Sequence, residues 1–147
     1  MKYKIFDTFV FEKEITLDII NEYEEKVPQE LLEIWREFGL GTILDGYIKL
    51  INPQVYHDII RDSYFRGQDA IPIMVTGFGD IITWEEKKYI GLVRYRKGKF
   101  NIISSGSKYF FNDLADEYFI SKYLDCSQYS DAIKGVGHLK FDRIINF

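Results

Sequence analysis

A single cysteine, Cys126, and two histidines, His57 and His138, leave this 147-residue chain short of the side chains on which most metal and redox chemistry depends. One thiol forms no intramolecular disulfide and excludes both a Cys-based zinc site and a disulfide scaffold. The two histidines stand far apart, with no HExxH or comparable ligand pair, so each reads as a structural or solvated residue. Nowhere does an apolar run approach the ~20 residues that a bilayer span requires. Met1 to Glu14 mixes charges with hydrophobic residues and lacks the long apolar stretch and small-residue cleavage site of a secretion signal. A reducing cytoplasm is the expected setting.

Basic excess is missing as well. The formal net charge is −4, and a general nucleic-acid binder would show a surplus of Lys and Arg or a recognisable reading motif. The charge is unevenly spread: Met1 to Leu40 carries ten acidic and five basic residues, whereas Ile81 to Lys108 carries seven basic and two acidic. What the chain has in quantity is aromatic surface, with 12 Phe, 11 Tyr and 2 Trp, inside a mixture of 46% hydrophobic and 29% charged residues that suits a packed domain. A chain of this length buries roughly two-thirds of its unfolded surface. With no repeat, low-complexity tract or linker, residues 1–147 are expected to form one domain.

Periodicity predicts the elements. Thr16 can cap a helix over Thr16 to Lys26 with Leu17, Ile20, Tyr23 and Val27 inward, and Pro28 can open a second that reaches Phe38 before Gly39. Leu31, Leu32, Trp35 and Phe38 form the buried stripe of the second, opposite Glu30, Glu33 and Glu37. Gly39, Gly41 and Gly46 punctuate the next stretch, Tyr47 to Ile51 reads as a strand, and Asn52 can cap a short helix that begins at Pro53 and packs through Val55, Ile59 and Ile60. Ser63 to Asp69 reads as a loop. The period then becomes strand-like: Ile71 to Thr76, with Pro72 suggesting an edge, Asp80 to Glu85, Tyr89 to Tyr95 and Phe100 to Ser104. A helix over Asp113 to Leu124 capped by Asn112 follows, its inner side carrying Leu114, Tyr118, Phe119 and Tyr123; a short helix over Tyr129 to Lys134 and a strand over His138 to Phe147 are open expectations. The predicted class is α+β, a predominantly antiparallel sheet with N-terminal and C-terminal helices packed against it.

Catalytic motifs are absent from this pattern. Gly77-Phe78-Gly79 has no phosphate-loop Lys-Ser/Thr after it, Gly135-Val136-Gly137 lacks the full dinucleotide fingerprint, and Ser105 is outside a GxSxG elbow. Glu85 and Glu86 are adjacent and would diverge across a strand, whereas Asp113 and Glu117 would share one side of a helix. No catalytic residue, metal ligand or cofactor is assigned. The chain is read as one that acts by binding another macromolecule.

The ordered segments Pro28-Gln29-Glu30-Leu31-Leu32-Glu33-Ile34-Trp35, Phe38-Gly39, Leu44-Asp45-Gly46-Tyr47, Leu50-Ile51-Asn52-Pro53, Ser63-Tyr64-Phe65-Arg66-Gly67, Ile71-Pro72-Ile73 and Phe78-Gly79-Asp80-Ile81-Ile82-Thr83-Trp84 resemble the bacterial GAD-like immunity family, which is itself similar to the SUKH group of immunity proteins. The likeness continues through Ser104-Ser105-Gly106 and Asp116-Glu117-Tyr118-Phe119. It implies neutralisation of a cognate bacterial toxin, in some relatives a nuclease delivered by type VI secretion, with no direct contact to nucleic acid or membrane. Residue chemistry and motif position then nominate Asp45, Asp80, Glu85, Asp116 and Glu117 as polar contacts and Tyr64, Phe65 and Trp84 as hydrophobic anchors. A noncatalytic regulatory or scaffold domain and a small-molecule sensor are the other readings; oligomeric state stays open.

Overall fold

The computed structural model of the protein describes residues 3–126. The expected helix over Tyr129 to Lys134, the expected strand over His138 to Phe147, His138 itself and Gly135-Val136-Gly137 lie outside the described residues. After a 3-10 turn at Lys4–Thr8 come strand β1 (Val10–Lys13), helices α1 (Leu17–Tyr23) and α2 (Gln29–Phe38), strands β2 (Leu40–Ile43) and β3 (Ile48–Leu50) and helix α3 (Pro53–Ser63). Strands β4 (Ala70–Thr76), β5 (Ile81–Glu85), β6 (Tyr89–Arg94) and β7 (Lys99–Ser105) follow, and helices α4 (Ser107–Asp113) and α5 (Glu117–Leu124) complete the series. The seven strands form one sheet in chain order, each antiparallel to the next. The α+β class and its antiparallel sheet flanked by N- and C-terminal helices are as predicted.

Capping chemistry sets the helix starts. The Thr16 side chain accepts from the Ile19 N–H at 3.5 Å, and the Asn52 side chain accepts from the Gln54 N–H at 2.9 Å just before Pro53. Pro28 is the N-cap of α2 rather than its first residue, and Gly39 ends that helix with φ 77°, a region open to glycine.

Side-chain alternation assigns the two faces of the sheet. Met74, Ile82 and Leu92 share the large core with residues of α1, α2, α4 and α5, including Ile20, Leu31, Trp35, Phe110 and Phe119. Their neighbours Val75, Ile81 and Val93 look the other way, into a smaller core closed by Ile60 and Tyr64 from α3 and its C-cap. Helices therefore lie on both faces.

Several expectations are corrected here. The inner stripe of α1 is Ile19, Ile20 and Tyr23, which leaves Leu17 74% exposed. Helix α3 packs through Pro53, Tyr56 and Ile60, one residue over from the Val55 and Ile59 pair, and both of those face solvent. Pro72 lies in a central strand. It is tolerated because β3 pairs only as far as Met74, so Pro72 lies beyond that partner, at a register shift opposite β5. The expected Asp113 to Leu124 helix begins only at Glu117, as α5, where Asp116 caps it by accepting from the Phe119 N–H at 3.0 Å; Asp113 instead ends the separate helix α4, so Asn112 is no cap, Asp113 and Glu117 do not share a helix, and Tyr118 is exposed.

Two hairpin turns place consecutive residues in the left-handed region. The β2–β3 turn has Leu44, Asp45 and Gly46 at φ 54°, 53° and 88°, with Asp-Gly at its two central positions, the pairing that a type I′ turn prefers. The β5–β6 turn places Glu86 and Lys87 at φ 55° and 54°, where a side chain costs roughly 1 kcal/mol or more per residue. Replacing Glu86-Lys87 by Asn-Gly is expected to raise the unfolding free energy by about 1 kcal/mol after the extra chain entropy of glycine is subtracted. Urea titration of the two proteins measures it, and an unchanged midpoint would show that the turn stores no such strain.

The last described helix is tied to the sheet by charge. Asp125, in the left-handed region at the C-terminus of α5, accepts from Arg94 Nη1 and Arg96 Nη2, each at 2.8 Å, and lies 3.5 Å from Lys97 Nζ. Arg94 Nη2 also donates to the Tyr123 carbonyl at 2.6 Å, and the Tyr47 hydroxyl donates to the Leu124 carbonyl.

Candidate partner-binding face

Helix α3 ends where Tyr64 turns out of it, its N–H still donating to the Ile60 carbonyl. The Ser63 hydroxyl bonds the Ile59 carbonyl at 2.5 Å and the Tyr95 hydroxyl at 2.6 Å, pinning the end of the helix to the β6–β7 connection. Gly67 then packs so closely on the Ile60 carbonyl and the Arg61 backbone that a Cβ would collide with both. Its N–H donates to the Tyr64 carbonyl, and those of Asp69 and Ala70 donate to the Arg66 carbonyl. The Phe65-Arg66 loop is thereby held as a tight turn.

This turn delivers an aromatic cluster to the surface. The ring centroids of Tyr64 and Phe65 lie 5.2 Å apart, those of Tyr64 and Phe100 5.5 Å, and those of Phe65 and Phe100 5.0 Å, in tilted or edge-to-face arrangements that aromatic quadrupoles favour. Tyr64 is 7% exposed and forms the floor; Phe65 is 76% exposed and Phe100 36%. The Arg66 guanidinium sits 5.8 Å from the Phe65 ring centre and 5.7 Å from that of Phe100, within cation–π reach of both. Ser63, Tyr64, Phe65, Tyr95, Lys99 and Phe100 line most of a groove of about 400 Å³.

A buried carboxylate supports the floor. Glu85 Oε2 accepts from Thr83 Oγ1 at 2.7 Å, the Tyr64 hydroxyl reaches both Glu85 oxygens at 3.1 and 3.2 Å, and Arg66 Nη1 lies 3.5 Å away. Burial, and after it the Glu85 charge, pushes the Tyr64 phenol up to about 12, so the hydroxyl stays a donor to the carboxylate. Gly91 on the next strand leaves the room this needs: a Cβ there would stand 2.5 Å from Glu85 Oε2 and 2.7 Å from Thr83 Oγ1.

Of the nominated residues, Tyr64, Phe65 and Glu85 thus converge, with Phe65 alone widely exposed. Trp84 faces the large core and Asp80 is buried beside the hairpin, accepting from the Arg96 N–H at 3.4 Å. Burial raises the Asp80 carboxyl above its ordinary range, opposed by that N–H and by the Arg96 charge. Interior positions give Asp80, Trp84 and Glu85 structural work in this fold. Asp45, in its turn, and Asp116 and Glu117, at the start of α5, are exposed and separate from the aromatic face. Phe100, Arg66 and Tyr95 were not nominated. Phe100 and Ile102 alternate on β7 like a core face, and only the reach of α3 across the sheet decides that they stay partly open.

Elsewhere, a polar cleft of about 600 Å³ lies between α1, α3 and the start of β4, lined by Glu22, Lys26, Gln54, His57 and Asp69 among others. Gln54 donates to Glu22 across it, and His57 is exposed. Burial, then the nearby Asp45 charge, pushes the Cys126 thiol up to about 11, which disfavours the thiolate a nucleophile needs. Among the described residues no group of three or more His, Cys, Asp or Glu could hold a metal ion, and no helix is long and apolar enough to cross a membrane.

Comparison with known proteins places the architecture. The crystal structure of Atu4351 from Agrobacterium tumefaciens superposes with a TM-score of 0.73 at 17% sequence identity, covering 99% of this chain and 75% of that one; at this identity the likeness is one of fold. No curated protein matches the chain. The family profile of the GAD-like domain matches residues 3–97, which include α2, α3 and the Phe65-Arg66 turn. This protein belongs to the GAD-like domain family.

Proposed function

We propose that the protein binds and neutralises a cognate bacterial toxin, as an immunity protein of the GAD-like and SUKH-like kind. Blocking the toxin's active cleft, or holding the toxin in an inactive arrangement, needs neither nucleophile nor cofactor on this side of the complex. A nuclease delivered by type VI secretion is the favoured toxin class, met in the cytoplasm of the protected cell. The observation that carries the reading is the Phe65–Phe100–Arg66 face: large aromatic rings held in place by packing yet left in water, the residue types that dominate protein interfaces. A rigid aromatic anchor loses little conformational entropy on binding.

Acidic side chains on α1, α2 and the turn between them, among them Asp18, Glu24, Glu25, Glu33 and Glu37, are exposed and would complement the basic substrate face of a nuclease. Asp45, Asp116 and Glu117 are proposed as further polar contacts. Co-expression with the toxin encoded beside this gene tests the reading: the wild type restores growth and forms a stable complex. The double variant Phe65→Ala/Phe100→Ala is expected to lose at least 2 kcal/mol of binding, about thirtyfold in Kd by calorimetry. A toxin that neither binds nor is silenced by the wild type would sink the proposal.

A further inference from the structure

The groove beside Phe65 differs in charge from the chain as a whole. The net charge is −4, yet the residues lining the groove include no carboxylate; of its two cations, Arg94 is buried and paired with Asp125, which leaves Lys99 as the charge at the rim. The carboxylate closest to its floor, Glu85, is buried beneath Tyr64 and engaged by Thr83, Tyr64 and Arg66. Glu86, on the neighbouring turn, is near enough for its charge to act on Arg66, more weakly than Glu85, and is followed directly by Lys87 and Lys88. Lys99 is exposed and makes no ion pair among the described residues. Arg66 is held against two ring faces with its side chain 38% exposed, and its five N–H donors exceed what one Glu85 oxygen at 3.5 Å can take.

We propose that this groove docks an acidic segment of the partner protein, with an apolar side chain seated against Phe65 and Phe100 and carboxylates meeting Arg66 and Lys99. A planar guanidinium fixed by ring stacking matches a carboxylate with two parallel hydrogen bonds, and the ammonium of Lys99 adds a steering charge at the rim. Nucleic acid is the competing polyanion, and the charge pattern disfavours it: duplex binding relies on many phosphate contacts, whereas here a few cations sit on a net acidic protein. The acidic α1–α2 surface and this basic groove would then grip oppositely charged regions of one partner, which discriminates against toxins carrying only one of them. Naming that partner a toxin rests on the function proposed above; the acidic docking itself does not.

The test uses the full chain and three fluorescein-labelled probes followed by anisotropy: a dodecapeptide alternating glutamate with leucine and tyrosine, its counterpart with lysine for glutamate, and a single-stranded DNA 12-mer. The glutamate peptide is expected to bind at least about tenfold more tightly than the lysine peptide or the DNA, and to weaken as salt rises. Lys99→Glu and Phe65→Ala should each weaken it about tenfold with unchanged circular dichroism, since both side chains are exposed, and Arg66→Gln gives a third reading without reversing charge beside Glu85. Equal binding of the two peptides, indifference to Lys99→Glu, or preference for DNA would overturn the proposal. A toxin complex insensitive to Lys99→Glu would overturn it too while leaving toxin neutralisation standing, whereas glutamate-peptide binding without toxin protection would do the reverse.

Discussion

Asp125→Asn is expected to lower the unfolding free energy by about 3 kcal/mol, although asparagine keeps the shape and tolerates the left-handed backbone at φ 55°. Asp125 and Arg94 are both buried, and Arg96 is nearly so, with its side chain 20% exposed. An amide oxygen can still accept one hydrogen bond, but it supplies no negative charge, and two guanidinium groups in a low-dielectric setting then repel each other, with Asp80 as a nearby carboxylate. Lys97 contributes little, being 43% exposed and 3.5 Å away, so Lys97→Met should cost less than about 1 kcal/mol. Urea titrations of the three proteins compare the effects directly. If Asp125→Asn costs no more than Lys97→Met, the cluster is a surface decoration and not a tie between α5 and the β6–β7 hairpin.

Trp35→Ala should be at least as damaging, at about 3–5 kcal/mol. The indole is 1% exposed in the large core and meets the Tyr23 ring edge-on, with centroids 6.3 Å apart. Its removal loses the burial of a large side chain and opens a cavity beneath α1 and α2. The indole N–H has no hydrogen-bond partner among the described residues, so Trp35→Phe discards an unsatisfied donor along with part of the ring and should cost markedly less. Thermal unfolding separates the two: a Phe variant as unstable as the Ala variant would mean that the indole nitrogen, not the volume, matters. The contrast with Phe65 is functional, since one aromatic is consumed by the core and the other left open for a partner.

That contrast marks how far residue patterns could be read. Thr16, Asn52-Pro53 and Gly39 announced helix ends through local hydrogen bonding and backbone freedom, which do not depend on the rest of the fold. The four-residue strand β1 was not anticipated because all its residues are exposed and no burial alternates along it. Strand β2 was hidden by Gly41, which looked like punctuation; it lies inside the strand because the Val10 carbonyl and the Phe9 ring occupy the space a Cβ would need. The same limit applies to the binding face. Tyr64 and Phe65 could be nominated from their loop, but Phe100 and Arg66 join them only once β7 pairs with β6 and α3 lies across the opposite side. Trp84, in turn, has the chemistry of an anchor and the address of a core residue, and only strand register distinguishes the two.

The order of the strands bears on how the chain finds this arrangement. Because every strand pairs with its neighbours in the chain, most ladders close over short connections, and the entropy of closing a loop grows only with the logarithm of its length. The widest gap among the later strands runs from Leu50 to Ala70, and α3 fills it with local structure of its own. Low sequence separation between paired strands favours rapid folding for a sheet of this size. The β4–β7 meander can form hairpin by hairpin, and in doing so it brings Phe100 beside the turn that presents Phe65. Assembly of the partner-binding face is thus tied to the part of the sheet with the most local contacts.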